Sequence, residues 1–345
     1  MAKTTIAIVH GDPAGIGPEL LIKLLSDKKT TDRANILVIG DPKVFLRGEN
    51  TVGYQIENVC HITNIKDLNF SNCNVNHLDI NFEGIDGVPT AAVSATGGAS
   101  TIGGLHRALE LSKNGYVAGI VFMPFNKESM HLGGNDFNDE LGYASQFFKL
   151  KTRASEFNFA NGMWNSRVTS HVAMKDVHNL LNEDLICEEI ALTNQTLELA
   201  GYDRPRIVVS AYNPHAGDGG LMGREEIDVI APAIKRMKQK QISVNGPLPA
   251  DTLWLKVRDG EYDAVVTMYH DQGQIAIKLL GFDRGVTILA GLPIPITTPA
   301  HGTAFDIAGQ NKANIVPTQN AFIMAVNMAE HRKSTDGVVS NQNEY

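Results

Sequence analysis

Short apolar runs alternate along the chain with longer stretches in which apolar residues recur at helical spacing. The runs predict buried strands at residues 4–10, 34–40, 117–123, 167–171, 206–212, 263–270 and 285–290. The stretches predict helices at residues 18–27, 100–114, 176–200, 225–239, 271–280 and 313–330. Residues 71–95 have no clear period, so strands, a hairpin and an irregular insertion all stay open for them. The polar residues 331–345 predict a mobile tail.

This alternation of strands and helices predicts an α/β fold with a largely parallel sheet. The length of 345 residues exceeds what one hydrophobic core usually supports, so two domains or subdomains are expected. In such sheets, ligands bind outside the carboxyl ends of the strands. Functional side chains are therefore expected in the residues that follow the strands.

The charge balance and the cysteines exclude several classes of protein. The chain has 30 Lys and Arg against 38 Asp and Glu, a formal net charge of -8, and no basic stripe, so no nucleic-acid partner is expected. It has no apolar run of ~18 residues and no secretory signal pattern, so neither a membrane span nor export is expected. Cys60, Cys73 and Cys187 are odd in number and lack short paired spacing. This argues against a disulfide framework and a cysteine metal site, and it favours the cytoplasm.

Three predicted strands end on or just before a histidine, namely His171, His215 and His270. Because the carboxyl ends of parallel strands meet at one edge of a sheet, three imidazoles there could converge on one divalent metal and leave a position for substrate. The alternative is three unrelated histidines that cap strands or bond to nearby carbonyl groups. Spacing alone does not separate these two interpretations.

Charged residues near these histidines add candidates for proton transfer and substrate binding. Asp271 follows His270 directly, and Asp251 follows a Gly-Pro turn. Either could orient a histidine or transfer a proton, although Asp251 would equally suit the start of a helix. Lys127 follows a strand end, and Lys278 lies beyond the His270 loop. A lysine beside a metal can pair with a substrate carboxylate, whereas a lone lysine is more often a solvated surface residue.

Two segments could bind a nucleotide. The glycine-rich turn GDPAGIG at residues 11–17 could present backbone amides to an anion, but it lacks the last glycine of a Rossmann fingerprint and the lysine of a P-loop. A structural turn is therefore favoured there. The segment HGTAFDIAGQNKAN at residues 301–314 resembles the adenine-binding loop of the isopropylmalate and isocitrate dehydrogenases, which bind NAD or NADP outside the Rossmann plan. That resemblance assigns the cofactor contacts to His301, Gly302, Thr303, Ala304, Asp306 and Asn314.

The whole of residues 5–330 resembles the 4-hydroxythreonine-4-phosphate dehydrogenase (PdxA) family of vitamin B6 biosynthesis. That family also includes phospho-threonate, phospho-erythronate and terephthalate dihydrodiol dehydrogenases. The resemblance rests on the segments GDPAGIGPE, PFNKESM, NPHAGDGGLMGREE, PADTLW, VVTMYHDQG and HGTAFDIAG, which occur in that order.

The resemblance implies a fold like that of the isocitrate and isopropylmalate dehydrogenases, with two α/β/α subdomains and the active site in the cleft between them. The first subdomain would contain residues 1–125 and about 300–345. The second, about 126–299, would carry the metal histidines and the interface of a homodimer.

The resemblance also implies roles for individual residues. It requires a divalent metal, which could be Zn, Mg, Mn, Co or Ni, and NAD, with NADP as the alternative. Both subunits of the homodimer would contribute to each metal site. The metal ligands map onto His171, His215 and His270, the active-site aspartates onto Asp251 and Asp271, and the substrate-contacting lysine onto Lys278.

Four positions depart from the family pattern. Where the family has a His and a Thr that contact the phosphorylated substrate, this sequence has Glu140 and Leu141. Where the family has a substrate-binding Asn and Arg, it has Thr287 and Ile296. An isoleucine cannot clamp a phosphate as Arg does, and a carboxylate would repel a phosphate dianion. These departures predict a substrate without phosphate.

The sequence thus predicts a metal-dependent enzyme that oxidises a small β-hydroxy acid with NAD and decarboxylates the product. Asp271, Lys278 or a water would accept the hydroxyl proton, and Lys127 is a further catalytic candidate. One alternative is the vitamin B6 step itself, or the oxidation of 4-phospho-D-threonate or erythronate. Another alternative is a non-catalytic relative of the enzyme that still binds metal and nucleotide.

Overall fold

The structure, a computed structural model, describes residues 3–342 and the side chains of residues 3–332. Its strands are β1 (Thr5–Val9), β2 (Asn35–Gly40), β3 (Val59–Ile62), β4 (Val75–Asp79), β5 (Gly119–Phe122), β6 (Ser155–Ala160), β7 (Met163–Arg167), β8 (Ile207–Ser210), β9 (Val244–Leu248), β10 (Ala264–Thr267), β11 (Val286–Ala290) and β12 (Ile296–Pro299). Its helices are α1 (Gly17–Ser26), α2 (Lys28–Thr31), α3 (Pro42–Val52), α4 (Ala95–Lys113), α5 (Lys127–Leu132), α6 (Glu140–Phe148), α7 (Met174–Leu180), α8 (Glu183–Leu199), α9 (Ala231–Gln239), α10 (Ala250–Arg258), α11 (His270–Gly281) and α12 (Val316–Gln342).

The first of two compact units contains Met1–Lys149 and Leu292–Tyr345. We call it unit 1. Its strands lie in the order β3-β4-β2-β1-β5-β12, and all their pairings are parallel. Helix α4 packs against β1 and β2, and α12 packs against β5 and β12. Because helices cover the sheet, the central strands are buried and appear in the sequence as continuous apolar runs.

The second unit, unit 2, contains Leu150–Gly291. Its strands lie in the order β11-β6-β7-β10-β8-β9. Strand β6 is antiparallel to β11 and β7, whereas the pairings of β7 with β10, β10 with β8, and β8 with β9 are parallel. Helix α8 packs against β7, β8 and β10, and α11 packs against β6, β7 and β10.

The predicted α/β fold is confirmed, while several boundaries differ from the expected ones. Unit 1 extends to Lys149 rather than 125, because α5 packs against α4, and it resumes at Leu292 rather than about 300. Residues 71–95, which have no clear period, contain β4. Helix α12 continues past the expected end at 330 to Gln342, so the tail predicted at 331–345 is helical as far as Gln342, and residues 343–345 lie outside the described residues.

The strand expected at 167–171 lies earlier, at β7, because its polar residues hide it from a hydrophobic pattern. Asn165, Ser166 and Arg167 are almost completely buried. Their side chains form hydrogen bonds with residues of unit 2, for example Ser166 Oγ with Thr193 Oγ1 at 2.8 Å and Arg167 Nη1 with Asn158 Oδ1 at 2.7 Å. Buried polar groups need such partners, and here tertiary contacts decide where the strand lies.

The cysteines also differ from the expectation. Cys60 and Cys73 form a disulfide, and their Cα atoms lie 5.8 Å apart. Strands β3 and β4 are parallel neighbours, and the chain that returns between them brings Cys73 beside Cys60. The expectation of unpaired cysteines is therefore wrong for these two, while Cys187 is free and buried. No helix among residues 3–342 has the length and apolar character that a membrane crossing requires.

Candidate active site

The strand-end histidines follow neighbouring strands of unit 2. His171 follows β7, His270 follows β10, and His215 follows β8. Strand β10 lies between β7 and β8 and is parallel to both. The carboxyl ends of the three strands therefore share one edge of the sheet, where ligands bind in α/β proteins.

Hydrogen bonds hold these strand ends together. Thr169 Oγ1 donates to Met268 O at 2.8 Å, which joins the segment after β7 to the segment after β10. Gln272 Nε2 donates to Ala211 O at 2.7 Å, and Gln272 Oε1 accepts from Met268 N at 2.8 Å. Gln272 thus links the ends of β10 and β8. The sequence analysis missed this residue, although its place in the segment YHDQG next to His270 is a usable signal.

The rings of His171 and His270 lie near each other. Their ring centroids lie 5.5 Å apart with an interplanar angle of 40°. His270 is the first residue of α11, and its Nδ1 lies 2.7 Å from Asp271 Oδ1, the distance of an N–H group that donates to a carboxylate. This bond leaves the lone pair of His270 on Nε2. A carboxylate that orients a histidine in this way is typical of metal-binding imidazoles.

His215 lies in a turn whose backbone is left-handed over several residues. The φ angles of His215, Ala216, Gly217 and Asp218 are 53°, 55°, 77° and 44°. Residues with side chains rarely adopt such angles, so surrounding contacts must stabilise the turn. A Cβ atom added at Gly217 would lie 2.7 Å from Glu226 Oε2, so the close approach of Glu226 to the turn requires glycine there.

Glu226 fixes the entry to this turn. Its Oε1 accepts from the backbone N–H groups of Tyr212 at 2.8 Å and Asn213 at 2.7 Å, and its Oε2 accepts from Asn213 Nδ2 at 3.0 Å. Glu226 is buried, so these hydrogen bonds are expected to be strong. They fix the position of the backbone just before His215. Glu226 lies in the segment NPHAGDGGLMGREE, whose letters alone do not predict this role.

The donor set of unit 2 fits a divalent transition metal in its chemistry. Imidazole nitrogens suit Zn, Co and Ni better than Mg, which prefers oxygen. The ligand atoms of His171, His215 and His270 do not all lie within 4.8 Å of one another. In the part of the chain whose side chains are described, that spacing occurs instead at His61, His77 and Asp79.

The other candidates in unit 2 occupy helix and strand surfaces. Asp251 is exposed in the first turn of α10, where the capping position belongs to Pro249, so it is a first-turn acid rather than the N-cap. Lys278 is exposed on α11, with its Nζ 6.0 Å from the centroid of the Phe282 ring. Thr287 Oγ1 accepts from Asn158 Nδ2 at 3.2 Å.

The candidates in unit 1 outside the cofactor segment differ in exposure. Lys127 is exposed as the first residue of α5, whereas Glu140 is nearly buried as the first residue of α6, and Leu141 is half-buried. Ile296 lies on β12 opposite Ile120 of β5 and has no exposed surface. The substrate-binding role expected at Ile296 stays a prediction.

The cofactor segment and the glycine-rich turn pack together in unit 1. Ile16 N donates to Thr303 O at 3.0 Å, and a Cβ atom added at Gly15 would lie 2.8 Å from Thr303 Cβ. The structural role of the turn is thus to let the segment approach closely. The buried Glu19 accepts from Ala313 N at 3.0 Å, and Lys23 Nζ donates to Ala313 O at 2.9 Å. Glu19 and Lys23 hold the far end of the segment, a role that the sequence analysis did not assign.

The residues of the cofactor segment, 301–314, differ in how exposed they are. Gly302 and Asp306 are exposed, Thr303 is buried, and Ala304 has a left-handed backbone with φ 42°. Burial lowers the pKa of His301 below its ordinary value of 6.5, although its Nδ1 lies 3.1 Å from Gly302 O. The His301 imidazole is therefore neutral at pH 7 and adds no positive charge to the segment.

Comparison with known proteins places these features in a family. Residues 32–327 match the family model "Pyridoxal phosphate biosynthetic protein PdxA". A Pseudomonas aeruginosa protein, provisionally named 4-hydroxythreonine-4-phosphate dehydrogenase 2, is 45% identical over 329 residues, which cover 95% of this chain and 97% of the relative. D-threonate 4-phosphate dehydrogenase of Salmonella typhimurium is 34% identical over 334 residues, 95% of this chain and 100% of the relative. The crystal structure of 4-hydroxythreonine-4-phosphate dehydrogenase from Klebsiella pneumoniae has a TM-score of 0.82 and 35% identity, with 95% of this chain and 100% of that chain covered.

Proposed function

The chain belongs to the PdxA family, and from this membership we propose that it is a metal-dependent, NAD-linked dehydrogenase of a small phosphorylated hydroxy acid. NAD bound to the enzyme would take a hydride from the secondary alcohol of the substrate, the hydroxyl proton would pass to a base, and a ketone would form. The observation that carries the proposal is the pair of imidazoles at adjacent strand ends, His171 and His270, with Asp271 behind His270.

The proposed substrate carries a phosphate, which reverses the expectation from the sequence. Relatives 34% to 45% identical along nearly the whole chain are named for phosphorylated substrates. Ile296 and Glu140, two of the positions where this chain departs from the family pattern, are both buried. We propose a hydroxy acid of the D-threonate 4-phosphate or 4-hydroxythreonine 4-phosphate type.

His171, His215 and His270 are the proposed metal ligands. A divalent metal held there would lower the pKa of the substrate hydroxyl and polarise the carbonyl that forms. Asp271 keeps the lone pair of His270 on Nε2, the atom that would face the metal. Lys278, which forms no ion pair among the described side chains, is the candidate to bind the substrate or accept the hydroxyl proton. Asp251 and Lys127 remain exposed candidates for proton transfer.

The cofactor is proposed to bind at residues 301–314 in unit 1. Gly302 has no heavy atom within 4 Å of an added Cβ, so the backbone there is open to a ligand. NAD held by this segment would accept the hydride. The bonds from Glu19 and Lys23 to Ala313 keep the segment ordered before the cofactor binds, which reduces the entropy lost on binding.

A homodimer is part of the proposal, and an exposed apolar stripe supports it. Ile275, Leu279 and Phe282 lie along α11 and the turn that follows it, and Leu279 is 82% exposed. Exposed apolar groups of this spacing are typical of a helix that packs against another surface. A second copy of the chain would cover this stripe and bring further ligands towards the metal, which suits histidines that do not converge within one chain.

The test is a direct comparison of substrates with purified, metal-loaded protein, monitored by NADH absorbance. We expect kcat/KM for D-threonate 4-phosphate or 4-hydroxythreonine 4-phosphate to exceed that of the unphosphorylated compounds about a hundredfold, or ~2.7 kcal/mol of transition-state binding. Carbon dioxide release measured in the same reaction tests decarboxylation. Equal rates with and without phosphate would refute the substrate class. Absence of NADH formation with every compound, despite bound NAD, would favour the non-catalytic relative.

A further inference from the structure

Unit 1 contains a second group of histidines at its edge strand, β3. His61 on β3 and His77 on β4 are register partners in the parallel sheet, and their ring centroids lie 4.9 Å apart. Both Nδ1 atoms approach the same carboxylate oxygen, Asp79 Oδ1, at 2.8 Å from His61 and 2.6 Å from His77. Two imidazole nitrogens and one carboxylate oxygen therefore lie within 4.8 Å of one another.

This cluster is enclosed on one side and open on the other. His77 is completely buried, and its Nε2 lies 2.9 Å from Nε2 of His10, which is also buried. The ring of Phe45 meets the rings of His61 and His77 edge-on, at centroid distances of 6.1 Å and 5.1 Å. The side chains of His61 and Asp79, by contrast, are 44% and 17% exposed. An ion could therefore enter from the side of His61.

The remaining ring nitrogen of His77, Nε2, also has a partner, because it lies 2.9 Å from Nε2 of the buried His10. A histidine that binds a metal through Nδ1 has an Nε2–H group to donate, and metal-binding histidines normally have an acceptor for it. His10 Nε2 lies within hydrogen-bond distance of His77 Nε2 and can accept from that group.

We propose that His61 Nδ1, His77 Nδ1 and the Asp79 carboxylate form a binding site for a divalent transition ion of the Zn²⁺ class, with His10 orienting His77. The site is separate from the strand-end histidines of unit 2 and does not depend on the function proposed for them. Nitrogen donors favour Zn²⁺, Co²⁺ or Ni²⁺ over Mg²⁺ and Ca²⁺, which select oxygen ligands.

The geometry needs a small adjustment to hold an ion. Tetrahedral bonds of 2.0–2.1 Å place neighbouring ligand atoms about 3.3 Å apart. The observed separations of 2.6 Å and 2.8 Å are those of hydrogen bonds that the ion would replace. A shift of the Asp79 carboxylate by about half an ångström opens the space, and water would complete the coordination on the exposed side.

Ion binding would cross-link the edge of the sheet. β3 is paired on one side only, with β4, and the disulfide of Cys60 and Cys73 ties it to the chain just before β4. A metal held by one residue from β3 and two from β4 binds the folded state and not the separated strands. We therefore expect saturating Zn²⁺ to raise the melting temperature of the protein, by linkage.

The experiment uses full-length protein in which His171→Asn and His270→Ala remove two ligands of unit 2. Asn is chosen at position 171 because His171 has φ 50°, which Asn tolerates. After chelator treatment and dialysis, Co²⁺ is titrated by calorimetry and by visible absorption. We expect this double variant to bind one ion per chain, and we expect the added change His61→Ala or Asp79→Asn to weaken binding at least tenfold.

His106→Ala in the same double variant is the matched control, because His106 is 47% exposed in unit 1 and lies on α4, away from the cluster. It should leave binding unchanged. If the double variant binds no ion, or binds one that His61→Ala and Asp79→Asn both leave intact, the proposal is overturned. The wild-type protein separates the two sites, because it should bind one more ion than the double variant only if the unit 2 site also exists.

Discussion

The two groups of histidines in this molecule differ in where they lie along their strands. In unit 2, His171 and His215 are exposed, have left-handed backbones and follow the ends of parallel strands. In unit 1, His10 and His77 are buried, and His77 lies within a strand rather than after it. The exposed rings of the first group are open to a substrate, whereas the second group presents only the partly exposed His61 and Asp79 to solvent. We therefore expect the first group to act in the reaction and the second to stabilise the fold.

The largest expected effect comes from removing a strand-end imidazole. His270→Ala should lower kcat/KM by about 10³-fold or more, because the several kcal/mol of charge stabilisation from a bound metal is lost. Folding should be nearly unaffected, since His270 is partly exposed. Steady-state kinetics and metal analysis of the same sample test this. His61→Ala is the comparison variant, and a loss of activity as large as that of His270→Ala would erase the distinction between the two groups.

A smaller effect is expected from the carboxylate behind His270. Asp271→Asn keeps the shape of the side chain but removes its charge, so it should reduce metal affinity or kcat/KM by about 10- to 100-fold. The expected loss lies between those of His270→Ala and of an exposed control such as Asp259→Asn. Competition with a chelating dye measures the affinity. Unchanged affinity and activity in Asp271→Asn would show that the 2.7 Å contact with His270 has no functional role.

The buried group should respond in stability instead of activity. His77→Ala removes a fully buried ring and its bonds to Asp79 and His10, and we expect a loss of ~2–4 kcal/mol in the free energy of unfolding. Urea unfolding in the presence of a chelator measures this without any metal contribution. Activity per folded molecule should stay within about twofold of wild type. A stable but inactive His77→Ala protein would place the buried histidines in the catalytic machinery.

The smallest effect concerns the cofactor segment and pH. Burial lowers the pKa of His301, so its imidazole is neutral above the ordinary value of 6.5 and stays neutral somewhat below it. The dissociation constant of NAD should therefore change by less than about twofold between pH 6 and 8, as measured by calorimetry. A step in affinity near pH 6.5 that disappears in His301→Gln would show instead that His301 titrates at its ordinary pKa.

The sequence predicted those features that depend on local pattern. The strand ends before His215 and His270 follow apolar runs, and the sheet places both with His171 at one edge. The segment at 301–314 and the glycine-rich turn are recognisable from their amino-acid sequences. Their packing against each other through Thr303 and Gly15 is a tertiary contact, which the sequence does not predict. Glu226, Glu19 and Gln272 were missed, because a buried hydrogen bond to backbone leaves no periodic trace in a sequence.

Other errors came from polar residues inside the fold. Strand β7 contains buried Asn165, Ser166 and Arg167, so its pattern looks like a loop. The same reason concealed the cluster of His61 and His77, which the sequence analysis did not single out.

The central claim is that the strand-end histidines of unit 2 hold the metal of a dehydrogenase. The most direct measurement is anomalous X-ray diffraction at the Co²⁺ absorption edge, on crystals of active protein grown with that ion. The account predicts an anomalous peak within about 2.2 Å of His270 Nε2, with His171 also coordinated. A peak at the His61 cluster, as an additional site, is compatible with this result. Active crystals without a peak at His270 would contradict the claim.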